Sequence, residues 1–391
     1  MKILVDALSA REGGGVTYVR QLLPILARIS PADRYYVLLA PMYQRDLIDA
    51  LAAHVRVIPA PLPGTGVLRR LWFEETTMQH LLRSERFDLL FTPTESGATR
   101  APCPRVVLAG NLSVFASPFA FPPGGARRRA IIYRATRQPI ASRSLRTADR
   151  VVCVSATFRD KVVRRLRLDP KTTSVVHHGV DPLFFASPDP ARAGALPGIP
   201  PSYLLAVSSL APHKNFPVLL KAYTAVYARL GHDTPALVVA GGVTDQALYR
   251  ELLAQVAASS LEERVHFIGR VDQNDLPALY RAATLSLFPS RLESFGLPVL
   301  ESMAAGTPAI VSDLPICREI GGDAPRFVAV GDSTALAAAI VELLGSPERR
   351  AAMADRGRRR AAGFSWEATA RAMADIFSDV AGDRPDRPQL T

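Results

Sequence analysis

Short apolar runs alternate with longer amphipathic segments along most of the chain. In the first half, the runs that fit buried strands are KILVDAL, RYYVLLA, HVRVIPA, DLLFTPT, RVVLAG, RVVCVSA and TSVVHHG. In the second half they are YLLAVSSL, ALVVAGG, VHFIGRV, LSLFPS, PAIVSD and RFVAV, separated by helical patterns such as VLLKAYTAVYARL and STALAAAIVELLG. Strands that alternate with helices are typical of βαβ units. The pattern therefore predicts an α/β fold built from doubly wound, mainly parallel sheets.

One break divides this alternation into two parts. Residues 181–201 contain six prolines and few candidate core positions, a composition typical of an interdomain linker. We expect a Rossmann-like domain over residues 1–183, a linker over 184–201, a second Rossmann-like domain over 202–364 and a crossover helix over 365–381 that returns to the first domain. Open α/β sheets bind ligands at the carboxyl ends of their strands, so we expect the two domains to face a shared cleft.

Length and composition fit two domains inside the cell. With 391 residues, 48% of them hydrophobic, the chain exceeds the usual size of a single core. Its first residues are too short and too polar a stretch for a signal peptide, and no apolar run reaches the roughly 18 residues of a membrane-spanning helix. Cys103, Cys153 and Cys317 have neither disulfide nor zinc spacing. We therefore expect a cytoplasmic protein without a metal site.

Positive charge is concentrated in one segment. The net charge is +11, and residues 121–150 hold eight arginines against a single acid, Asp149. The 126–150 part fits a solvated helix packed on the first domain, a peripheral contact with the anionic inner face of a membrane or a lipid-diphosphate acceptor, or a nucleic-acid site. No zinc finger, RNA-recognition signature or aromatic platform accompanies the charge, so we expect no nucleic-acid partner.

Residues 285–313, LSLFPSRLESFGLPVLESMAAGTPAIVSD, contain the most informative motif. A predicted strand runs into a loop and then into a helix that we expect to begin at Pro298, the residue type favoured at the first helical position. The backbone N–H groups of Phe295, Gly296 and Leu297 then lie at a helix N-terminus. That geometry binds phosphate.

Two glutamates flank this phosphate cradle. Glu293 lies in the loop and Glu301 one turn into the helix, so either could accept hydrogen bonds from sugar and ribose hydroxyls or simply be solvated. The run ESFGLPVLE has the form E-x7-E and resembles the signature of the family 4 retaining glycosyltransferases, which have the GT-B fold. The resemblance extends to GGGVTYVRQLL, ADRVVCVSATFRDKV, VVHHGVD, SSLAPHKN, FIGRV and FSWEATA.

The resemblance implies a reaction and a set of roles. The reaction is transfer of a hexose-type sugar from a nucleotide-sugar to a glycan or lipid-linked acceptor, with retention and without a metal or other cofactor, as in cell-surface polysaccharide synthesis. Lys214 matches the lysine that contacts the donor diphosphate, where negative charge develops on departure. Glu293 matches the residue near the transferred sugar and Glu301 the residue that binds the ribose, so Lys214 and Glu293 are the expected catalytic residues. The other implied donor contacts are Phe295, Gly296, Leu297, Arg270 and Val271.

The first domain offers weaker candidates. A glycine triplet, Gly13 to Gly15, opens the first predicted helix, and its place after the first strand favours a donor contact for Gly14 and Gly15. Surface turns use such triplets as well. Many members of the family carry a His-Asp pair where this chain has Gly110 and Asn111. An acceptor-side role for Asn111 therefore stands beside its interpretation as a loop asparagine.

One departure from the family's pattern keeps other functions open. Ser209 replaces the arginine of the family's G-R-L run, which removes half of the usual diphosphate clamp, and His213, Arg291 or Arg270 could supply the charge instead. The chain could also be another sugar-nucleotide enzyme on this architecture, such as an epimerase or a phosphorylase, or a non-catalytic scaffold. The E-x7-E run and Lys214 favour transfer.

Overall fold

The computed structural model describes residues 1–9, 14–39, 45–60, 66–111, 114–117, 125–186 and 198–382. The chain divides into two compact units, the first comprising Met1–Phe115, Ile132–Gly179 and Ser365–Thr391, and the second Ala116–Ile131 and Val180–Phe364. Gly13, the middle of the expected linker (187–197) and the polar tail from 383 onward lie outside the described residues.

The first unit contains a seven-stranded sheet. Its strands are β1 (Lys2–Asp6), β2 (Arg34–Leu39), β3 (Arg56–Pro59), β4 (Leu89–Thr92), β5 (Arg105–Ala109), β6 (Arg150–Cys153) and β7 (Thr173–Val175). Every pairing is parallel, in the order β3-β2-β1-β4-β5-β6-β7. All residues of β4 and β5 are buried, as expected for strands covered by helices on both faces.

The second unit contains a six-stranded parallel sheet. Its strands are β8 (Tyr203–Val207), β9 (Ala236–Ala240), β10 (Val265–Gly269), β11 (Leu285–Phe288), β12 (Ala309–Ser312) and β13 (Arg326–Val328). They lie in the order β10-β9-β8-β11-β12-β13. Each of the apolar runs singled out in the sequence forms one strand of these two sheets, which confirms the predicted fold class.

Helices connect the strands. Their bounds are α1 (Gly14–Ile29), α2 (Arg45–Ala52), α3 (Val67–Glu75), α4 (Thr77–Ser84), α5 (Gly125–Arg146), α6 (Ala156–Leu166), α7 (Phe216–Leu230), α8 (Gln246–Ala258), α9 (Leu276–Ala282), α10 (Leu297–Ala305), α11 (Pro315–Gly321), α12 (Ser333–Leu344), α13 (Pro347–Ala361) and α14 (Trp366–Gly382). Across the described ranges, none of the helices combines the length and the apolar character needed to cross a membrane.

The C-terminal helix α14 belongs to the first unit, where it packs against α1, so its predicted return is confirmed. Trp366 is 2% exposed and its ring stands edge-on to that of Tyr18, with 5.7 Å between centroids. His178 packs on both rings, and burial lowers its pKa to about 3. Thr369 Oγ1 also donates to the carbonyl of His177 at 2.8 Å. His178 is therefore a neutral core residue that anchors α14.

Each sheet has one point where the strand order reverses. In the first sheet it lies between β1 and β4, and in the second between β8 and β11. The loops that leave the carboxyl ends of two such strands turn to opposite faces of the sheet and open a crevice between them, which is where doubly wound sheets bind ligands. In the second unit these loops are residues 208–215 and 289–296.

Candidate active site

The reversal point of the second sheet brings Lys214 and Glu293 together. Lys214 ends a short 3₁₀ turn, Pro212–Lys214, in the loop that follows β8, and Glu293 lies in the loop that follows β11. Because β8 and β11 are paired neighbours, Lys214 Nζ donates to Glu293 Oε1 at 2.7 Å, although the residues are 79 positions apart. Ser290 Oγ donates to the same carboxylate oxygen at 2.8 Å.

This contact is an ion pair with limited access to water. The side chains of Lys214 and Glu293 are 15% and 14% exposed. Burial by itself would raise the pKa of Glu293, but the charge and hydrogen bond of Lys214, together with the Ser290 hydroxyl, outweigh it and lower the pKa. Glu293 is therefore ionised at neutral pH and holds the Lys214 ammonium at the edge of the sheet.

His213 does not add a positive charge to this group. Burial, and then the neighbouring Lys214 ammonium, lower the pKa of His213 to about 4. The imidazole is neutral at pH 7, so of the three residues considered as substitutes for the missing arginine at Ser209, His213 is excluded. Arg291 and Arg270 remain as candidates for that role.

The phosphate cradle forms at the start of α10. Gly296 has φ 95° and ψ 46°, a left-handed conformation that glycine adopts without strain, and no side chain caps the helix that follows. The helix begins at Leu297, one residue before the predicted start at Pro298, because the turn at Gly296 already directs the chain into it. Pro298 fits in the first turn, where its missing N–H has no role. Phe295, 3% exposed, fixes the turn to the core.

Glu301 has a different environment from Glu293. It lies in the middle of α10 and is 9% exposed. The Tyr280 hydroxyl, from α9, donates to Glu301 Oε2 at 3.2 Å. Burial raises the pKa of Glu301 to about 7, with the Tyr280 hydrogen bond opposing the rise and Asp181 adding to it. The two glutamates of the motif thus have pKa values shifted in opposite directions, a pattern typical of functional carboxylates.

Arg270 and Val271 follow β10 directly, at the same carboxyl edge as the ion pair. The Nε atom of Arg270 lies 2.9 Å from the position that a Cβ on Gly242 would take, so the arginine covers the loop that follows β9. Arg291 donates from Nε to Asn215 Oδ1 at 2.9 Å. The candidates of the second unit thus lie in the loops after β8, β10 and β11 and in the helix α10 that follows the last of these loops.

The remaining candidates lie in the first unit. Gly14 and Gly15 are the first residues of α1, and Gly14 is exposed. Asn111 lies two residues beyond β5, and its Nδ2 donates to the Tyr133 hydroxyl at 3.1 Å. The structure therefore does not group these three residues with Lys214 and Glu293 within one unit.

Glu95 is a candidate that sequence reasoning missed. It follows β4 at the reversal point of the first sheet and is 9% exposed. Burial raises its pKa to about 7, against the opposing effects of Arg70 and of a hydrogen bond from Asn111. An acid that directly follows a predicted buried strand was the signal that could have found it. Ser290 could have been found in the sequence because it also follows a predicted buried strand, three residues before Glu293. Nothing in the sequence indicates that Tyr280 contacts Glu301.

The described ranges contain no group of three or more His, Cys, Asp or Glu side chains placed to hold a metal ion. Cys103, Cys153 and Cys317 are buried and form no disulfide. The chemistry that this arrangement offers is electrostatic: a lysine, a helix N-terminus and two carboxylates placed to bind an anionic, hydroxyl-rich ligand.

The chain resembles known proteins over most of its length. The family described as "Glycosyl transferases group 1" matches residues 198–360, and "Glycosyltransferase Family 4" matches residues 12–183. Among solved structures, HepE of Anabaena in complex with UDP and glucose has a TM-score of 0.77 at 20% identity, covering 97% of this chain and 99% of that one. At this identity the likeness shows the fold, which is GT-B.

Curated relatives match over shorter stretches. The D-inositol 3-phosphate glycosyltransferase of Salinispora tropica is 35% identical over 254 residues, 61% of this chain and 53% of that protein. The O-antigen chain mannosyltransferase RfbU of Salmonella typhimurium is 29% identical over 205 residues, 52% of this chain and 54% of that protein. The alignments thus span about half the length of these relatives. Both family matches and the shared fold lead to one assignment: the chain belongs to the group 1 glycosyltransferases of glycosyltransferase family 4.

Proposed function

We propose that this protein transfers a hexose-type sugar from a nucleotide-sugar donor to a glycan or lipid-linked acceptor, with retention at the anomeric carbon. The observation that carries the proposal is the Lys214–Glu293 ion pair at the reversal point of the second sheet. A diphosphate leaving group needs a cation and N–H donors, and the same loop pair offers Lys214 and the uncapped first turn of α10.

The second unit is proposed as the donor site. Lys214 and the amides of Phe295, Gly296 and Leu297 stabilise the departing diphosphate. Glu301 accepts hydrogen bonds from the ribose hydroxyls, and Glu293 contacts the transferred sugar. Arg270 and Val271, after β10, contact the base, and the resemblance implies further donor contacts for Gly14 and Gly15, the first residues of α1.

The proposed reaction needs no base from the protein. The bond from the anomeric carbon to the diphosphate oxygen breaks, and the acceptor oxygen bonds to the same face of that carbon. The acceptor hydroxyl gives its proton to the departing diphosphate oxygen. The chain's own residues position the donor and stabilise the charge that develops on the leaving group.

The relatives suggest which donors to test. HepE was solved with UDP and glucose, and RfbU is named as a mannosyltransferase. UDP-glucose and GDP-mannose are therefore the first donors to offer, and a role in cell-surface polysaccharide synthesis fits the name of RfbU as an O-antigen chain mannosyltransferase.

The acceptor is proposed to bind at the carboxyl edge of the first sheet. Asn111 and Glu95 are hydrogen-bonded to each other there, beside Tyr133. A buried carboxylate and an amide together accept from and donate to sugar hydroxyls. If this is correct, Glu95→Gln raises the KM for the acceptor and leaves the affinity for the donor unchanged.

Helix α5 is proposed to contact an anionic membrane surface at the inner face of the membrane. The segment Gly125–Arg146 contains seven arginines and no acidic residue. Next to them, Ile131 and Ile132 are 49% and 63% exposed, and Tyr133 is 39% exposed. Exposed apolar side chains among arginines are typical of helices that lie on anionic lipid. Such contact would bring the enzyme to a lipid-linked acceptor.

A transfer assay tests the proposed function. Radiolabelled UDP-glucose and GDP-mannose are incubated with the protein and membrane lipid extract, and labelled product is measured with wild type, Lys214→Ala and Lys221→Ala, an exposed lysine of α7. Transfer by wild type and Lys221→Ala, lost in Lys214→Ala, supports the proposal. Conversion of the sugar without acceptor would favour an epimerase instead. Donor binding without any conversion would favour a non-catalytic scaffold, for which the substitution at Ser209 is the structural argument.

A further inference from the structure

The two members of the ion pair lie on separate turns of the second unit. We call residues 211–215 the lysine turn and residues 289–293 the glutamate turn. Each follows its own strand, β8 or β11, and the strands pair only as far as Leu205 and Ser286. Beyond that register the backbone ladder does not fix how far apart the turns stand. Other contacts must set the distance from Lys214 to Glu293.

Three hydrogen bonds besides the ion pair join the two turns. The backbone N–H of Arg291 donates to the carbonyl of His213 at 2.8 Å. The Nε of Arg291 donates to Asn215 Oδ1 at 2.9 Å, and Asn215 Nδ2 donates to the carbonyl of Pro289 at 3.0 Å. Besides the ion pair, Arg291 and Asn215 therefore supply two side-chain links between the lysine turn and the glutamate turn.

Asn215 is built into this position. It is 2% exposed and has φ 61°, a left-handed conformation that asparagine adopts more readily than most residues. That conformation ends the lysine turn and begins α7 at Phe216. Both halves of the amide are used, the oxygen for Arg291 and the nitrogen for Pro289. One buried side chain thus holds the other turn at two points.

Arg291 is fixed at its other end as well. Its Nη2 atom lies 3.4 Å from the position that a Cβ on Gly331 would take, so the guanidinium lies along the backbone at Gly331. With Nε bonded to Asn215 and the guanidinium against Gly331, the side chain is oriented along the turns. Arg291 therefore links the glutamate turn to the lysine turn in a fixed orientation.

We propose that Arg291 and Asn215 are positioning residues, which hold the lysine turn and the glutamate turn at the spacing at which Lys214 and Glu293 meet the diphosphate and the sugar of the donor. The proposal rests on the donor site of the proposed function. It differs from the interpretation in which Arg291 replaces the missing arginine at Ser209 by touching the diphosphate with its charge. The two accounts make opposite predictions for a lysine at this position.

Lysine keeps the charge of Arg291 but lacks the rigid Nε–H that reaches Asn215. Asn215→Gly keeps the left-handed backbone but removes the amide. If the residues position the turns, both substitutions misplace Lys214 and weaken its contact with the diphosphate. Both substitutions break the Arg291–Asn215 bond, and Asn215→Gly also removes the bond to Pro289, so the double variant is impaired about as much as Asn215→Gly alone.

The experiment measures the diphosphate advantage, defined as the Kd of a nucleoside divided by the Kd of its diphosphate. UDP and uridine, GDP and guanosine, and ADP and adenosine are titrated into wild type by calorimetry, and the pair with the largest advantage is used for the variants. We expect Arg291→Lys, Arg291→Leu and Asn215→Gly each to reduce the advantage about tenfold, as expected for one weakened charge-assisted hydrogen bond. The Kd of the nucleoside stays the same and reports that the site is folded. Arg349→Lys, an exposed arginine of α13, is the matched control.

Three results overturn the positioning role. If Arg291→Lys keeps the wild-type advantage while Arg291→Leu loses it, Arg291 acts by direct charge. If all three variants keep the wild-type diphosphate advantage, the hydrogen bonds between the two turns do not affect diphosphate binding. A wild type without a diphosphate advantage for any nucleotide refutes the donor site itself, and the positioning role with it. If Asn215→Gly lowers nucleoside affinity through unfolding, the comparison of Arg291→Lys with Arg291→Leu decides alone.

Discussion

Lys214 Nζ lies 2.7 Å from Glu293 Oε1, so each residue of the expected catalytic pair is the other's partner. A donor diphosphate that binds Lys214 must share or take over this ammonium. The ion pair compensates the charge of a lysine that is only 15% exposed, since an uncompensated charge with so little access to water is costly. This relationship yields the first prediction.

Substitutions of Lys214 and of Glu293 should have different effects on diphosphate binding. Lys214→Ala weakens binding of the preferred nucleoside diphosphate by roughly tenfold to hundredfold, because it removes a charge-assisted hydrogen bond of about 1.5–3 kcal/mol. Glu293→Gln frees the ammonium, so the diphosphate binds as well or more tightly while transfer falls. Calorimetry and the transfer assay measure both effects, with Lys221→Ala as control. Equal weakening in both variants contradicts the sharing of Lys214.

Donor affinity should rise as the pH increases through about 7. The pKa of Glu301 is raised to about 7, chiefly by burial. Below this pH the carboxyl is mostly protonated and accepts ribose hydroxyls poorly, and above it the carboxylate accepts them well. Titration of the donor between pH 5.5 and pH 8.5 measures the dependence, with this range chosen as about 1.5 units on either side of the pKa.

Variants identify the group behind that pH dependence. Glu301→Gln should flatten it, since an amide does not titrate. Tyr280→Phe should move its midpoint to higher pH, because the Tyr280 hydrogen bond opposes the rise in the pKa of Glu301. An unchanged pH profile in Glu301→Gln assigns the dependence to another group.

Gly296→Ala should disrupt the phosphate cradle through backbone conformation. A Cβ at this position meets nothing closer than 3.8 Å, so space is not the problem. The strain comes from the φ of 95°, because a left-handed conformation costs a non-glycine residue about 1–3 kcal/mol. We expect a lower Tm and weaker diphosphate binding. Gly345→Ala, the same change at φ −79° and with ordinary contacts, is the control. Similar losses in both variants would show that the effect is not specific to the left-handed turn.

Binding to anionic vesicles should depend on α5. Replacing the exposed Arg128 and Arg143 by alanine removes about 2 kcal/mol of attraction, roughly a thirtyfold loss in partitioning. Flotation with vesicles of phosphatidylglycerol and phosphatidylcholine measures it, and Arg349→Ala with Arg359→Ala, two exposed arginines of α13, matches the charge change. Equal loss in both pairs indicates attraction by net charge rather than by α5.

Sequence reasoning located the fold because the signal for buried parallel strands is local. Runs such as ALVVA in β9 are buried on every residue, and their apolar character does not depend on distant partners. The start of α10 was predicted one residue late for a local reason as well. The proline suggested the first helical position, whereas the left-handed Gly296 sets the boundary.

Contacts between distant residues were the part that the sequence could not supply. Lys214 and Glu293 were each assigned to the donor by resemblance, but nothing in the sequence indicates that they pair with each other. Asn215 meets Arg291 across 76 positions and Tyr280 meets Glu301 across 21. The first link follows from the pairing of β8 with β11 and the second from the packing of α9 against α10, and both are properties of the folded chain.

The central claim is that the second unit binds a nucleotide-sugar through Lys214 and Glu301. Its most direct test is calorimetric titration of the purified protein with UDP-, GDP- and ADP-sugars, repeated with the tightest donor on Lys214→Ala and Glu301→Ala. We predict micromolar binding of one donor, within the common range for enzyme substrates, and its loss in both variants while Lys221→Ala binds normally. The claim would be contradicted if no donor binds the wild type, or if both variants bind the donor as tightly as the wild type does.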